Sequence, residues 1–253
     1  MWLKTTAIAA ALATAALAAG GCGDDEDGTA TTAAASSLPQ GSEHVELDPA
    51  EFTTEIDNEW WPMPVGSRWV YRGTEDAGPP EHDVVRVTPR TREIANGVEA
   101  RVVSDVVSVR GEPIEATEDW YAQDADGNVW YLGEDTAEYR NGKKLSTEGS
   151  FEAGVGGAEA GIIMPADPAP GMSYRQEYLK GEAEDTGAII SVCEEMVGTP
   201  AGKWDEVLMT RDLVPTEPGV EELKFYARGV GPVLTVHTDA PGREELVSYR
   251  EGG

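Results

Sequence analysis

From Gly66 onward the chain is a succession of short runs rich in Val, Ile, Trp, Tyr and Thr, each cut off by Gly, Pro, Asn or Asp. SRWVYRG, DVVRVTP, VEARVVSDVVSVR, IEATEDWYAQ and NVWYLGE form a first set, and SYRQEYL, AIISVCEEMV, KWDEVLMTRDLV, EELKFYA, PVLTVHT and ELVSYR a second. Branched and aromatic residues suit a pleated surface, and turn residues recur at regular spacing with no 3.6-residue period. The expected fold class is all-β, an antiparallel meander.

The chain also aligns with itself at an offset of 105 residues. Gly66 falls on Gly171, Val87 on Val192, Gly97 on Gly202 and Val102 on Val207, while Val109, Glu112 and Pro113 fall on Val214, Glu217 and Pro218. Trp120, Tyr121 and Ala122 fall on Phe225, Tyr226 and Ala227. A tandem duplication would place repeat 1 at about 66–135 and repeat 2 at about 171–240, with a Gly/Pro-rich insert at 136–170. Chance coincidence of two similar meanders is the plainer alternative. A five-stranded twisted meander needs something to cover its apolar face, so the copies are expected to pack as one sandwich or one barrel-like sheet.

Alternation along the matched strand assigns Trp120, Ala122, Phe225 and Ala227 to a shared core face. The other face carries Glu115, Thr117, Asp119, Tyr121 and Gln123, and is either solvated or the wall of a cavity. In the insert, Asn141 and Gly142 predict a tight hairpin and GIIMP a buried plug between the copies. The glycines of GVGGAEAG read as close packing or flexibility, because the Lys and Ser/Thr of a P-loop and the spacing of a dinucleotide fingerprint are missing.

The N-terminus reads as an address. One cation, Lys4, precedes an uncharged run from Thr5 to Ala19, and small residues end at Cys22. The run is too short and too rich in Ala for a membrane span, and Ala19-Gly20-Gly21-Cys22 resembles a bacterial lipobox. Residues 1–21 are then a signal peptide, and Cys22 carries a thioether-linked diacylglycerol whose palmitate-type chains are the anchor. Residues 22–57 read as an acidic flexible tether, and residues 58–253 as the β domain. An ordinary secreted protein with an incidental Cys22 is the competing reading. Acylation of Cys22 would leave Cys193 with no intramolecular disulfide partner, and a Cys in so β-prone a run reads as a small buried hydrophobe.

Charge excludes one class of partner. The sequence has 47 acidic and 19 basic side chains and a net charge of −28, so its field repels polyanions and nucleic acid is not an expected partner. Loss of Lys4 with the signal takes −28 to −29. Anionic lipid would repel the domain as well, leaving the acyl group as the membrane contact.

Little points to catalysis. His44, His82 and His237 lie far apart without ligand-spaced neighbours, so no zinc or copper site is expected, and no cofactor. Asp124, Asp126 and Asn128 offer alternate oxygens to Ca²⁺, but Val129 and Asp135 stand where an EF-hand loop needs Gly and Glu, and a hairpin turn explains them better. Neighbouring acids such as Glu118 and Asp119 point to opposite faces of a strand, so they make no hydrolytic dyad by themselves. Trp120, Tyr121, Trp130 and Tyr226 are the candidate ligand-binding aromatics, with packed core as the alternative.

The strings NEWWPMPVGSRWVYRG, DWYAQDADGNVWYLGED, GSFEAGVGGAEAGIIMPADPAPGMSYRQEY and KFYARGVGPV together resemble an uncharacterised family of exported bacterial (lipo)proteins. The resemblance covers nearly all of residues 57–238 and implies export and a β-rich fold, with no catalytic residues to carry over. The expectation is a lipid-anchored extracytoplasmic protein at the cell membrane, binding a small molecule, a glycan or an envelope protein without catalysis. A glycan-directed hydrolase using carboxylates near Asp119 and Asp124, or a carrier of an apolar ligand in a β cavity, are the alternatives.

Overall fold

The computed structural model describes residues 38–75, 78–216, 219–238 and 241–253. The signal segment, Cys22 and the first part of the tether lie outside the described residues. Sixteen strands follow in chain order: β1 Phe52–Thr53, β2 Arg68–Glu75, β3 Glu81–Glu93, β4 Glu99–Val109, β5 Glu112–Asp124, β6 Val129–Arg140, β7 Lys143–Ser146 and β8 Phe151–Glu152. Then come β9 Glu159–Met164, β10 Ser173–Arg175, β11 Glu177–Tyr178, β12 Thr186–Thr199, β13 Gly202–Leu213, β14 Glu221–Ala227, β15 Gly231–His237 and β16 Gly242–Arg250.

All pairings are antiparallel, and thirteen of the strands run in the order β10-β12-β13-β14-β15-β16-β2-β3-β4-β5-β6-β9-β11. The barrel-like alternative is therefore the one adopted. β2 to β6 form one five-stranded meander, and β10 with β12 to β15 form another. β16 joins them on one side, and β9 with β11 on the other.

Ring closure comes from a single segment. β10 pairs with β12 at one end of the strand order through Tyr174 and Gly187. Two residues later β11 pairs with β9 at the other end through Glu177 and Ala160. Arg175 lies between, fully buried, and donates to four carbonyl contacts: Nε and Nη2 to Ala160 O at 3.1 and 2.6 Å, Nη1 to Gly41 O at 2.9 Å and Glu43 O at 2.7 Å. Desolvation lowers its pKa, partly offset by the charges of Glu159 and Glu43. Gly161 is confined here, because a Cβ would collide with the carbonyl oxygens of Arg175 and Gln176.

Corresponding turns are built alike. Gly66 and Gly171 both have positive φ, at 91° and 89°. Gly66 N donates to Val87 O while Val87 N donates to Ser67 O; Gly171 N donates to Ile189 O while Ile189 N donates to Met172 O, so Ile189 rather than the expected Val192 stands in the place of Val87. β12 pairs with β13 through three register shifts, one spanning Val192 to Glu195, and Cys193 there has φ of 60°. Cys193 is half-buried and packs against the core, and its Sγ accepts from Arg228 Nη2 at 3.3 Å.

Two local expectations change and a third holds. Residues 38–57, assigned by composition to the tether, dock on the ring: Leu38, Val45, Leu47 and Phe52 pack against the core, and β1 pairs with β5. Four scattered apolar side chains are enough to hold a segment whose average composition is polar. The GIIMP segment is a wall strand, β9, rather than a plug, because its backbone pairs with β6. Asn141 and Gly142 do form the tight turn from β6 to β7, with φ of 53° and 71°.

Candidate functional site

The face of β5 opposite Trp120 and Ala122 lines a cavity inside the ring, with Asp119 and Tyr121 in its wall. The cavity measures about 200 Å³ and is bounded by Trp61, Trp69, Tyr71, Tyr121 and Tyr226 together with Asp83, Asp105, Asp119, Lys224 and Glu244. An adjoining space of about 340 Å³ shares Trp61, Tyr121 and Lys224 and adds Tyr131, Glu134, Glu177 and Asp185. Aromatic walls with convergent polar groups are the usual composition of a small-molecule site.

Trp61 caps this interior. Its ring centroid lies 5.9 Å from that of Tyr121 and 5.7 Å from that of Tyr226. The strap carrying it is fixed by two amides. Asn58 Oδ1 accepts from Trp60 N and Trp61 N at 2.9 and 3.2 Å, while its Nδ2 donates to Gly127 O and Pro165 O at 3.0 and 3.1 Å. Gln123 Oε1 accepts from Asp57 N and Asn58 N at 3.0 and 2.9 Å. Gly231 leaves room for the indole, since a Cβ would sit 2.8 Å from Trp61 Cδ1. Arg228 stacks 4.4 Å above Trp60 and pairs with Glu59, tying the strap to the β14–β15 turn.

Charge inside is lopsided. Lys224 is held between Asp212, at 3.0 Å, and Glu222, at 3.3 Å; these two charges keep its pKa well above the ordinary lysine value although burial opposes them. Asp212 is itself satisfied by Gln176 Nε2 at 3.1 Å and Thr210 Oγ1 at 2.9 Å. Lys224 is thereby paired by its own neighbours, and its charge also draws down Glu244 and Glu177 without overcoming the burial that raises them.

Asp83, 6% exposed, sits beside Asp105, and no N–H or O–H donor reaches Oδ1 of either carboxyl. Burial raises the pKa of both, so the pair holds a proton that ordinary aspartates would have lost. Asp119 is raised well above the usual range by burial, then by Asp105 and Glu134. Glu134 and Glu244 are each pushed up to about 7, chiefly by burial. The Tyr131 hydroxyl reaches Asp119 Oδ1 at 2.8 Å and Glu134 Oε2 at 2.7 Å, joining these two acids across β5 and β6.

The candidate aromatics separate into two groups. Tyr121 and Tyr226 face the cavity, whereas Trp120 faces the opposite way, beneath the Arg92 guanidinium at 3.9 Å and beside Phe151 and Glu152. Trp130 packs against Phe52 and donates its indole N–H to Asp124 Oδ2 at 2.7 Å. Asp124 also accepts from Asp126 N, Asn128 N and Asn128 Nδ2 at 3.0, 2.8 and 2.8 Å, so its carboxylate organises the DADGN turn. Asp124 does not converge with Asp119, and among the described residues no three His, Cys, Asp or Glu are grouped to hold a metal ion.

Residues missed by sequence reasoning carry most of the interior: Trp61, Asp83, Asp105, Lys224 and Glu244. Alternation offered a signal for the aspartates. Asp83 is in phase with Val85 and Val87, and Asp105 with Val103, so each acid occupies an otherwise apolar inward face.

No family model matches the chain, and no curated protein matches it. Among solved structures it is similar to the β-barrel-like protein of domain of unknown function DUF1849 from Brucella abortus, at 12% identity, over 74% of this chain and 98% of that chain, with a TM-score of 0.32.

Proposed function

We propose that this protein is a non-catalytic binding module that takes a small molecule into the ring interior, and that an acylated Cys22 holds it at the outer side of the cell membrane. The observation that carries the binding half is the cavity itself: a folded ring with a packed core leaves space bounded by Trp61, Tyr121 and Tyr226, with buried acids aimed into it. The apolar walls alone would suit an apolar carrier, but the number of buried carboxyls favours a polar ligand. Mass spectrometry of the mature protein purified under native conditions tests this half. A stoichiometric small molecule released on denaturation supports it; closing the interior with Val103→Trp without displacing that molecule counts against it.

The anchor rests on the lipobox-like sequence. Cys22→Ala is expected to move the protein from the membrane to the aqueous fraction, and an unchanged membrane fraction would reject the anchor. One sulfur atom has one fate: thioether acylation of Cys22 excludes a disulfide from Cys22 to Cys193. A mature chain whose mobility shifts on reduction and which carries no acyl mass would therefore reject it too.

A further inference from the structure

The binding reading leaves the class of ligand open, and the interior narrows it. Asp83 is a nine-tenths-buried carboxyl whose Oδ1 has no donor, and Asp105 Oδ1 beside it has none either. Buried acceptors without donors cost free energy in the empty protein, which a ligand bringing N–H groups would recover. Among the described residues that line the cavity the one cation, Lys224, is already paired with Asp212 and Glu222. Glu244 and Asp119 complete an acidic side of the cavity facing the rings of Trp61, Tyr121 and Tyr226.

Aromatic faces attract cations through their negative quadrupole, and the carboxyls attract the same charge. An anion would meet both with the wrong sign. A metal ion would require three or more converging ligands, which the described residues do not group. The electrostatics continue outward: Glu81 and Glu222 act on Glu244, and Glu81 and Glu138 on Glu115, so acids extend from the cavity along β3, β5, β6, β14 and β16. Such an arrangement concentrates cations on the way in. The proton held by the acidic pair would leave as the cation arrives, so that the ammonium takes its place between two carboxylates.

We infer that the interior binds a small organic cation bearing N–H donors, an aliphatic or aromatic amine, with its ammonium against Asp83 and Asp105 and its carbon skeleton against Trp61, Tyr121 and Tyr226. The inference rests on the proposed binding role and adds the charge class.

Calorimetric titration of the mature protein with benzylamine, butylamine, tetramethylammonium, benzyl alcohol and benzoate separates the two. Benzylamine is expected to bind best, tetramethylammonium more weakly for want of N–H groups, and benzoate not at all. Asp83→Asn and Asp105→Asn are each expected to weaken benzylamine by roughly tenfold or more, the loss of a charge-assisted hydrogen bond. Both variants should keep the parent's fold, because an asparagine amide can donate to the neighbouring carboxyl in place of the hydrogen bond that now joins Asp83 and Asp105; an unchanged melting temperature then separates weakened binding from a folding defect. Equal binding of benzyl alcohol and benzylamine, or preference for benzoate, would overturn the amine assignment while leaving a binding module standing. Binding of none of the five would overturn the assignment, and if the natively purified protein also released no small molecule, the binding role would fall with it.

Discussion

Arg175 shows how much one side chain can do when its charge is entirely enclosed. Its guanidinium draws the carbonyls of Gly41, Glu43 and Ala160 together, linking the docked N-terminal segment to the closing strands. Truncation would strand three carbonyls and leave a cavity, so Arg175→Ala is expected to lower stability by about 3 kcal/mol or more in urea unfolding. Arg175→Lys should recover little of this, since one ammonium cannot reproduce a planar fork. Nothing local in MSYRQEY announces such a residue, for an arginine in a strand ordinarily points to water. The inward phase of Asp83 and Asp105 was legible by alternation, whereas alternation put Asp119 and Tyr121 on one face without deciding whether it was wet or the wall of a cavity. Trp61 was not, because its place depends on Asn58 meeting Gly127 and Pro165, contacts made across 69 and 107 residues.

At the scale of elements, the strands followed from composition and turn residues, and the pairing of each strand with its successor followed from short turns. The joining of the two meanders did not, since β16 to β2 is a contact between distant parts of the chain. The clasp of β10 and β11 is short: three register pairs on one side and two on the other. Short pairings open first, so the amides of Ser173–Tyr178 are expected to exchange with solvent faster than those of β4 and β5, as hydrogen exchange would show. Gly161→Val drives a side chain into the backbone of Arg175 and Gln176 and is expected to destabilise by roughly 3 kcal/mol, with loss of protection concentrated at β9 and β11. Uniform loss across all strands would instead mean that closure and the meanders melt together. We propose that the like construction of the Gly66 and Gly171 turns is the trace of tandem duplication.

The whole molecule carries a net charge of −28 and buries several acids at once. Glu134 and Glu244 are raised from 4.5 to about 7, so the folded form binds protons more tightly than the unfolded chain. Their stabilising contribution is complete below pH 4.5 and is lost as pH climbs towards 7, with Asp83 and Asp119 acting in the same sense. The melting temperature is therefore expected to be higher at pH 5 than at pH 8, by on the order of 5–10 °C, since each tenfold gain in proton affinity on folding is worth about 1.4 kcal/mol. A melting temperature equal or higher at pH 8 would contradict this burial. Added salt at pH 8 should raise the melting point by screening mutual repulsion among the surface acids.

The strand that unites the two meanders, β16, follows both of its partners, β2 and β15, in the chain. Until β16 docks, the ring is an open ribbon with two bare margins, one on β2 and one on β15. Exposed strand margins are templates for edge-to-edge association, so a change that delays docking of the nine-residue β16 is expected to raise aggregation on refolding.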